Sequence, residues 1–192
     1  MREMWLLATG AEFVNKKGLR RTQPVIEEMI KNVDKEIHIL NYKFGPEAEG
    51  LWDMLKEVLA KGKRVMIIAN DLSDQIEGAM DRLNELNNEF GRTNFTLYNF
   101  VKPDGGYLHA KVIVADRERM VIGSANLSKG GLKNHYEMGV HIEGEEAWTV
   151  ADVIEQIAQR DLIRDYYKSK VMASWTSTYA VCVFAVIFYY FL

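Results

Sequence analysis

Residues 108–126 read LHAKVIVADRERMVIGSAN, and this stretch decides the predicted fold. Its two apolar runs are separated by a tight polar turn around Asp116–Arg119, and each run is typical of a β-strand. Upstream, strand patterns at 36–42, 64–70 and 95–100 are separated by helical patterns. This order predicts an α/β fold whose mixed, largely parallel sheet is flanked by helices.

Polar side chains recur at a spacing of two residues in the same stretch. Positions two apart on a strand share a face, so His109 and Lys111 project together, and Ser124 and Asn126 repeat this spacing after the second strand. A lysine without a partner is costly to bury, and an anion is its natural partner. Because serine and asparagine add hydrogen-bond donors, we expect these four side chains to surround one phosphate.

Together these residues fit the pattern H-x-K-x4-D-x6-G-S-x-N, in which Asp116 is the aspartate. At average residue frequencies, a chance match to all six positions is on the order of 10⁻⁸ per starting point. The pattern resembles the HKD motif of the phospholipase D superfamily, and the resemblance extends to Glu137 in HYEMGV. It implies a phospholipase D-like fold.

The resemblance also implies a metal-independent phosphodiesterase that needs no cofactor. In such proteins the motif histidine attacks phosphorus to give a phosphohistidine, which makes His109 the nucleophile. Lys111 and Asn126 would stabilise charge on the phosphate oxygens, with help from Ser124. Glu137 would accept a hydrogen bond from the other ring nitrogen of His109.

Two further expectations concern the acidic residues. Asp116 falls at a strand end beside a turn, where an aspartate often bonds nearby backbone amides, so we expect its role to be mainly structural. No acidic or histidine–cysteine cluster has the spacing of metal ligands, and the sequence predicts no metal site.

The chain carries one copy of the motif, although the reaction needs two histidines. His135 and His141 lack a lysine two residues further on, and His38 lies in a strand pattern. Single-motif members of the family that this chain resembles form twofold dimers with the active site across the interface. We therefore expect a homodimer in which two copies of His109 share one site.

The substrate must be inferred from residues around the motif, because the motif does not distinguish among phosphodiesters. The net charge of −3 gives no overall attraction to nucleic acid, so any attraction is local. We expect five basic residues to bind a polyanionic backbone: Lys16, Lys17, Arg20, Arg21 and Lys129. An ordinary solvated loop is the alternative for the first four.

Compact single-motif members are often nucleases, so the resemblance implies an endonuclease acting on DNA or RNA. The N-terminal layout also resembles phospholipase D-like proteins of bacterial antiphage systems. A membrane-associated phospholipase D-type lipid hydrolase is one alternative, which an apolar C-terminal segment would favour. A non-catalytic nucleic-acid-binding dimer is another, and the complete motif argues against it.

Residues 1–168 are predicted to form one catalytic domain whose last helix runs from about Glu145 to Lys168. Residues 171–192 carry no charge, and as a helix these 22 residues would reach roughly 33 Å, about the apolar thickness of a bilayer. Lys168 and Lys170 would keep the domain on the cytoplasmic side of a membrane if this apolar helix inserts. A buried terminal strand or helix is the alternative.

The remaining compositional signals agree with a cytoplasmic location of the catalytic domain. The single cysteine, Cys182, cannot form an internal disulfide, which favours a reducing compartment. The apolar run at the N-terminus is too short for a secretory signal.

Overall fold

The computed structural model of the chain describes residues 3–13, 16–48, 50–101, 105–159 and 163–165. In this part of the chain nine strands form one sheet: β1 Glu3–Thr9, β2 Leu19–Arg21, β3 Glu36–Asn41, β4 Arg64–Asn70, β5 Phe95–Phe100, β6 Lys111–Ala115, β7 Arg119–Gly123, β8 Glu137–Glu143 and β9 Ile163–Asp165. Their order across the sheet is β2-β1-β8-β7-β6-β3-β4-β5-β9.

Helices flank both faces of the sheet: α1 Thr22–Lys31, α2 Leu51–Ala60, α3 Glu77–Phe90 and α4 Glu145–Ala158. The apolar faces of α1, α2 and α3 pack on one side of the sheet, where Ile30, Leu55 and Leu83 are fully buried. The apolar face of α4 packs on the other side, against residues of β3, β4 and β6. The predicted α/β fold with a mixed sheet between helices is confirmed.

The expectation of a largely parallel sheet is wrong. Strands β3, β4 and β5 are parallel, as are β1 and β2, but the other five pairs are antiparallel. Helices α2 and α3 connect the parallel strands, as a parallel crossover requires. The two strands of the motif instead form a hairpin, β6–β7, and a hairpin pairs antiparallel.

The predicted final helix is also shorter than expected. Helix α4 ends at Ala158, and β9 follows at Ile163–Asp165, where the expectation was helix as far as Lys168. Strand β9 pairs with β5, so it gains main-chain hydrogen bonds from a partner that is distant in sequence. The predicted apolar helix at 171–192 lies outside the described residues. Within the described residues, no helix has both the length and the apolarity needed to cross a bilayer.

Most of the motif residues lie at one end of the sheet. Lys111 at the start of β6 pairs with Asn41 at the end of β3, and Gly123 at the end of β7 pairs with Gly139 in β8. The end of β1 meets the start of β8 at Glu137. We call this the site end of the sheet.

Candidate active site

The side chains of His109 and Lys111 meet at the site end. The sequence pattern predicted His109 within a strand. Strand β6 begins at Lys111, however, so His109 lies in the preceding loop. The loop is tied to β4, because the Leu108 amide donates a hydrogen bond of 2.8 Å to Asn70 Oδ1. Lys111 Nζ lies 3.0 Å from His109 Nδ1 and donates a 2.7 Å hydrogen bond to the His109 carbonyl. The expected pairing of an imidazole with an ammonium group is therefore present.

Lys111 is a buried cation. Its side chain is only 8% exposed, and among the described residues no carboxylate lies within ion-pair distance of it. Burial lowers the pKa of Lys111, while the negative charge of Glu137 partly opposes this shift. An unpaired buried ammonium is unfavourable until an anion arrives, so the site is electrostatically prepared for a phosphate.

Ser124 and Glu137 are joined directly across strands β7 and β8. The Ser124 hydroxyl donates a hydrogen bond to the Glu137 carboxylate and accepts one of 3.2 Å from the Met138 amide. The second carboxylate oxygen of Glu137 lies 3.8 Å from Nδ1 of the exposed His135. The contacts of Glu137 in the structure are thus with Ser124 and His135, and its expected hydrogen bond to His109 stays a prediction.

Asn126 is oriented by the loop after β3. Its Oδ1 accepts a 3.3 Å hydrogen bond from the Lys43 amide, so the side-chain NH₂ group is the end that can donate to a ligand. Gly131 allows this arrangement, because a Cβ there would lie 2.3 Å from the Asn126 carbonyl oxygen. An amide donor held in this way suits a role in binding phosphate oxygens.

Asp116 lies at the opposite end of β6 from Lys111. Its carboxylate accepts hydrogen bonds from the backbone amides of Asp34, Lys35 and Glu36, at 2.9, 2.7 and 3.1 Å, and pairs with Arg119 at 2.9 Å. Burial would raise the pKa of this carboxyl, but the hydrogen bonds outweigh burial and the pKa is lowered. These contacts agree with the mainly structural role expected from the sequence.

The basic residues predicted to bind a polyanionic backbone differ in whether their charges are paired within the chain. Arg20 pairs with Glu28 at 2.9 Å, and its guanidinium lies 5.5 Å from the centre of the Trp5 ring. Lys129 Nζ lies 3.7 Å from the Glu47 carboxylate. Both charges therefore have partners within the chain.

Lys16, Lys17 and Arg21 are exposed. Arg21 is the last residue of β2 and pairs with Ala8, close to the site end. Strand β2 is four strands away from β6, about 19 Å at the usual strand spacing. These residues could contact only a substrate that extends well beyond the phosphate bound at Lys111.

A cluster of ionisable residues at the other end of the sheet was not predicted from the sequence. The cluster consists of Glu36, His38 and Glu155. Each residue offers one potential ligand atom, and these three atoms lie within 4.8 Å of one another, a grouping that could hold a metal ion. Arg117 hydrogen-bonds both carboxylates and Arg64 bonds Glu36, so two guanidinium groups already balance their charge. Spacing along the sequence could not indicate this grouping, because Glu155 is distant in sequence and only α4 brings it to β3. The expectation of no metal site stays a prediction.

Two tyrosines beside His109 were also missed. The ring centroids of Tyr42 and His109 are 4.7 Å apart, and Lys111 Nζ is 5.1 Å from the Tyr42 ring centre. Tyr107 meets Tyr42 edge-on at 6.4 Å. Tyr107 lies two residues before His109, a spacing that could have identified it, whereas only the tertiary fold places Tyr42.

Comparison with known families identifies the class of protein. Residues 26–162 match the family model described as "Cardiolipin synthase, PLD-like domain". The chain belongs to this phospholipase D-like family, which confirms the resemblance seen in the motif. It is also similar to the DISARM protein DrmC from Bacillus paralicheniformis, with 30% identity over 156 residues. That match covers 80% of this chain and 61% of the relative, so the chain spans about three fifths of the relative's length.

Solved structures share the fold. NucT from Helicobacter pylori superimposes with a TM-score of 0.64 at 20% identity, covering 81% of this chain and 94% of that one. Nuc from Salmonella typhimurium, a phospholipase D family member, gives 0.69 at 18% identity, with 86% and 99% covered. Phosphatidylserine synthase from Haemophilus influenzae gives 0.65 at 19% identity, with 85% and 40% covered. At these identities the likeness establishes the fold alone.

Proposed function

We propose that the protein is a metal-independent phosphodiesterase that cleaves nucleic acid, with His109 as its nucleophile. The observation that carries the proposal is the buried Lys111 ammonium beside the His109 imidazole. A cation in this position attracts a phosphodiester and holds it within reach of the ring nitrogen that attacks it.

The reaction would proceed in two displacements. A ring nitrogen of His109 forms a bond to phosphorus while the bond to the leaving oxygen breaks, and a protonated histidine gives that oxygen its proton. Water then attacks the phosphohistidine, and the same second histidine takes up the proton of the water. Lys111 and the amide of Asn126 would stabilise the charge on the non-bridging oxygens.

We infer that the second histidine is His109 of another copy of the chain. His38 and His141 are 3% and 4% exposed and lie within strands, so neither is available to a substrate. His135 is exposed, and its ring lies near Glu137, which makes it the alternative within one chain. A shared site in a twofold dimer supplies two equivalent histidines without a second motif.

Nucleic acid is the substrate that the surface supports best. The exposed charges of Lys16, Lys17 and Arg21 lie on or beside an edge strand, where a polymer could reach them and a single lipid headgroup at Lys111 could not. A lipid phosphodiesterase is the second candidate, favoured by the family model's description as a cardiolipin synthase domain and by the structural likeness to a phosphatidylserine synthase.

Incubation of the purified protein in EDTA with four substrates separates the candidates: single-stranded DNA, duplex DNA, RNA and phospholipid vesicles. We expect cleavage of nucleic acid, and loss of that cleavage in His109→Ala with the fold intact by circular dichroism. Cleavage restored only by added Mg²⁺ or Zn²⁺ contradicts the metal-independent mechanism. Cleavage of vesicles alone selects the lipid alternative.

Subunit mixing tests the shared site separately. When excess His109→Ala chains exchange into a fixed amount of wild type, the shared site of each mixed dimer contains one copy of His109 instead of two. Wild-type activity should therefore fall as the variant is added. Activity that stays constant after confirmed exchange rules out the shared site, and His135→Ala then becomes the variant to examine.

A further inference from the structure

An exposed aromatic side chain lies next to the candidate active site. Tyr107 is 72% exposed and lies two residues before His109. Its ring packs edge-on against Tyr42, and the Tyr42 ring in turn contacts the imidazole of His109. The three rings form a continuous aromatic surface that leads from solvent to the nucleophile.

Tyr42 is the fixed middle member of this surface. Its carbonyl accepts a 2.9 Å hydrogen bond from Nε2 of Gln75, whose side chain is buried and also bonds Asn70. The ammonium groups of Lys43 and Lys111 lie 5.4 and 5.1 Å from its ring centre, within the range of cation–π attraction. Tyr42 is therefore anchored through its backbone and its ring, and it supports Tyr107.

The exposed ring of Tyr107 lies beside the candidate phosphate site, because it contacts Tyr42, whose ring contacts His109. A large aromatic face open to solvent beside a phosphate site is typical of surfaces on which unpaired bases stack. A base in a duplex already stacks on its neighbours and cannot offer its face to a side chain. A lipid headgroup has no such face.

We propose that Tyr107 is a base-stacking residue that holds an unpaired nucleobase next to the phosphate bound at Lys111. This inference rests on the proposed nuclease function and names its substrate class, which is single-stranded DNA or RNA. Tyr42 acts as the positioning residue for Tyr107.

The test offers the 192-residue chain two single strands of equal length: an oligothymidylate and an oligonucleotide that lacks all its bases. Wild type should cleave the base-bearing strand with a kcat/KM about 10- to 100-fold higher, the range that corresponds to stacking of one base on one aromatic ring. Tyr107→Ala should bring this ratio close to one. Tyr107→Phe should preserve it, because stacking needs the aromatic face and not the hydroxyl. Tyr107→Leu is the matched control, with apolar volume but no aromatic face, and should behave like Tyr107→Ala.

Each other outcome overturns the proposal in a distinct way. An equal loss on both strands in Tyr107→Ala makes the ring a support for His109. Dissociation of a dimer on the same substitution, measured by light scattering, assigns the ring to a subunit interface. A wild type that cleaves both strands equally refutes the stacking role and leaves the nuclease function standing. A wild type that cleaves duplex DNA but neither strand also refutes the stacking role and leaves the nuclease function standing. A wild type that cleaves none of the single strands, duplex DNA and RNA refutes the nuclease function, and the stacking role falls with it.

Discussion

Replacing Asp116 with alanine should destabilise the protein without removing its chemistry. The substitution removes the acceptor of three backbone amides and the ion-pair partner of Arg119. A hydrogen bond to a charged acceptor contributes about 1.5–3 kcal/mol, but the amides of Asp34 and Lys35 are exposed and can bond water instead. We therefore expect the free energy of unfolding to fall by ~3 kcal/mol, which lowers Tm by about 6–12 °C for a domain of this size.

Asp116→Asn is the matched control. Asp116 has a φ of 57°, a left-handed conformation that asparagine tolerates and alanine does not. Asparagine also keeps one oxygen acceptor, so its loss should be about half that of alanine. Denaturant unfolding followed by circular dichroism gives both values.

The pH dependence of stability tests the role of the Asp116 carboxylate independently. The pKa of Asp116 is lower in the folded protein than in the unfolded chain. The carboxylate therefore contributes its full stabilisation above the unfolded-state pKa of about 3.9, and this contribution is lost as the pH falls through the folded-state pKa. The difference in stability between wild type and Asp116→Asn should therefore narrow in acid. A change below about 0.5 kcal/mol for Asp116→Ala at neutral pH would refute this reasoning. Loss of activity in a variant that remains folded would instead give Asp116 a part in the chemistry.

Three further predictions concern the site itself. Lys111→Met should lower kcat by about 10²-fold or more while raising stability by on the order of 1 kcal/mol, since it removes a buried charge that has no carboxylate within ion-pair distance among the described residues. Because the pKa of Lys111 is lowered in the folded protein, wild-type stability should rise with pH in the alkaline range, from the folded-state pKa up to the higher unfolded-state pKa. Thermal melts of the methionine variant should lack this rise. Glu137→Gln can still accept the Ser124 hydrogen bond but removes the charge near Lys111, so steady-state assays should show a slower enzyme with an unchanged Tm. The pH profile of kcat/KM should be bell-shaped, because one histidine must be neutral while the other is protonated, and a profile that only rises with pH would argue against a histidine acid.

The local elements were predictable because their signals are local. The helical pattern between the strand patterns at 36–42 and 64–70 became α2, and the strand pattern at 95–100 became β5 at Phe95–Phe100. The motif residues were likewise found from a local pattern, and Lys111 does meet His109 although the strand begins three residues later than expected.

Several features that the sequence did not predict share one physical cause, which is contact between residues far apart in sequence. Strand β9 exists through its pairing with β5, and the cluster of Glu36, His38 and Glu155 exists through the packing of α4 beside β3. Tyr42 reaches His109 only because β3 and β6 are neighbours in the sheet. No window of adjacent residues contains these pairings, so no pattern within the sequence could reveal them.

The two edges of the sheet restrict how two copies of the protein can associate. Within the described residues both edge strands, β2 and β9, are three residues long, so each offers few main-chain groups for pairing with another chain. Continuation of the sheet through these described edges would gain little for a second copy of the chain. The proposed dimer would then depend mainly on contacts between side chains, and we expect single substitutions to disrupt or redesign it without altering the sheet.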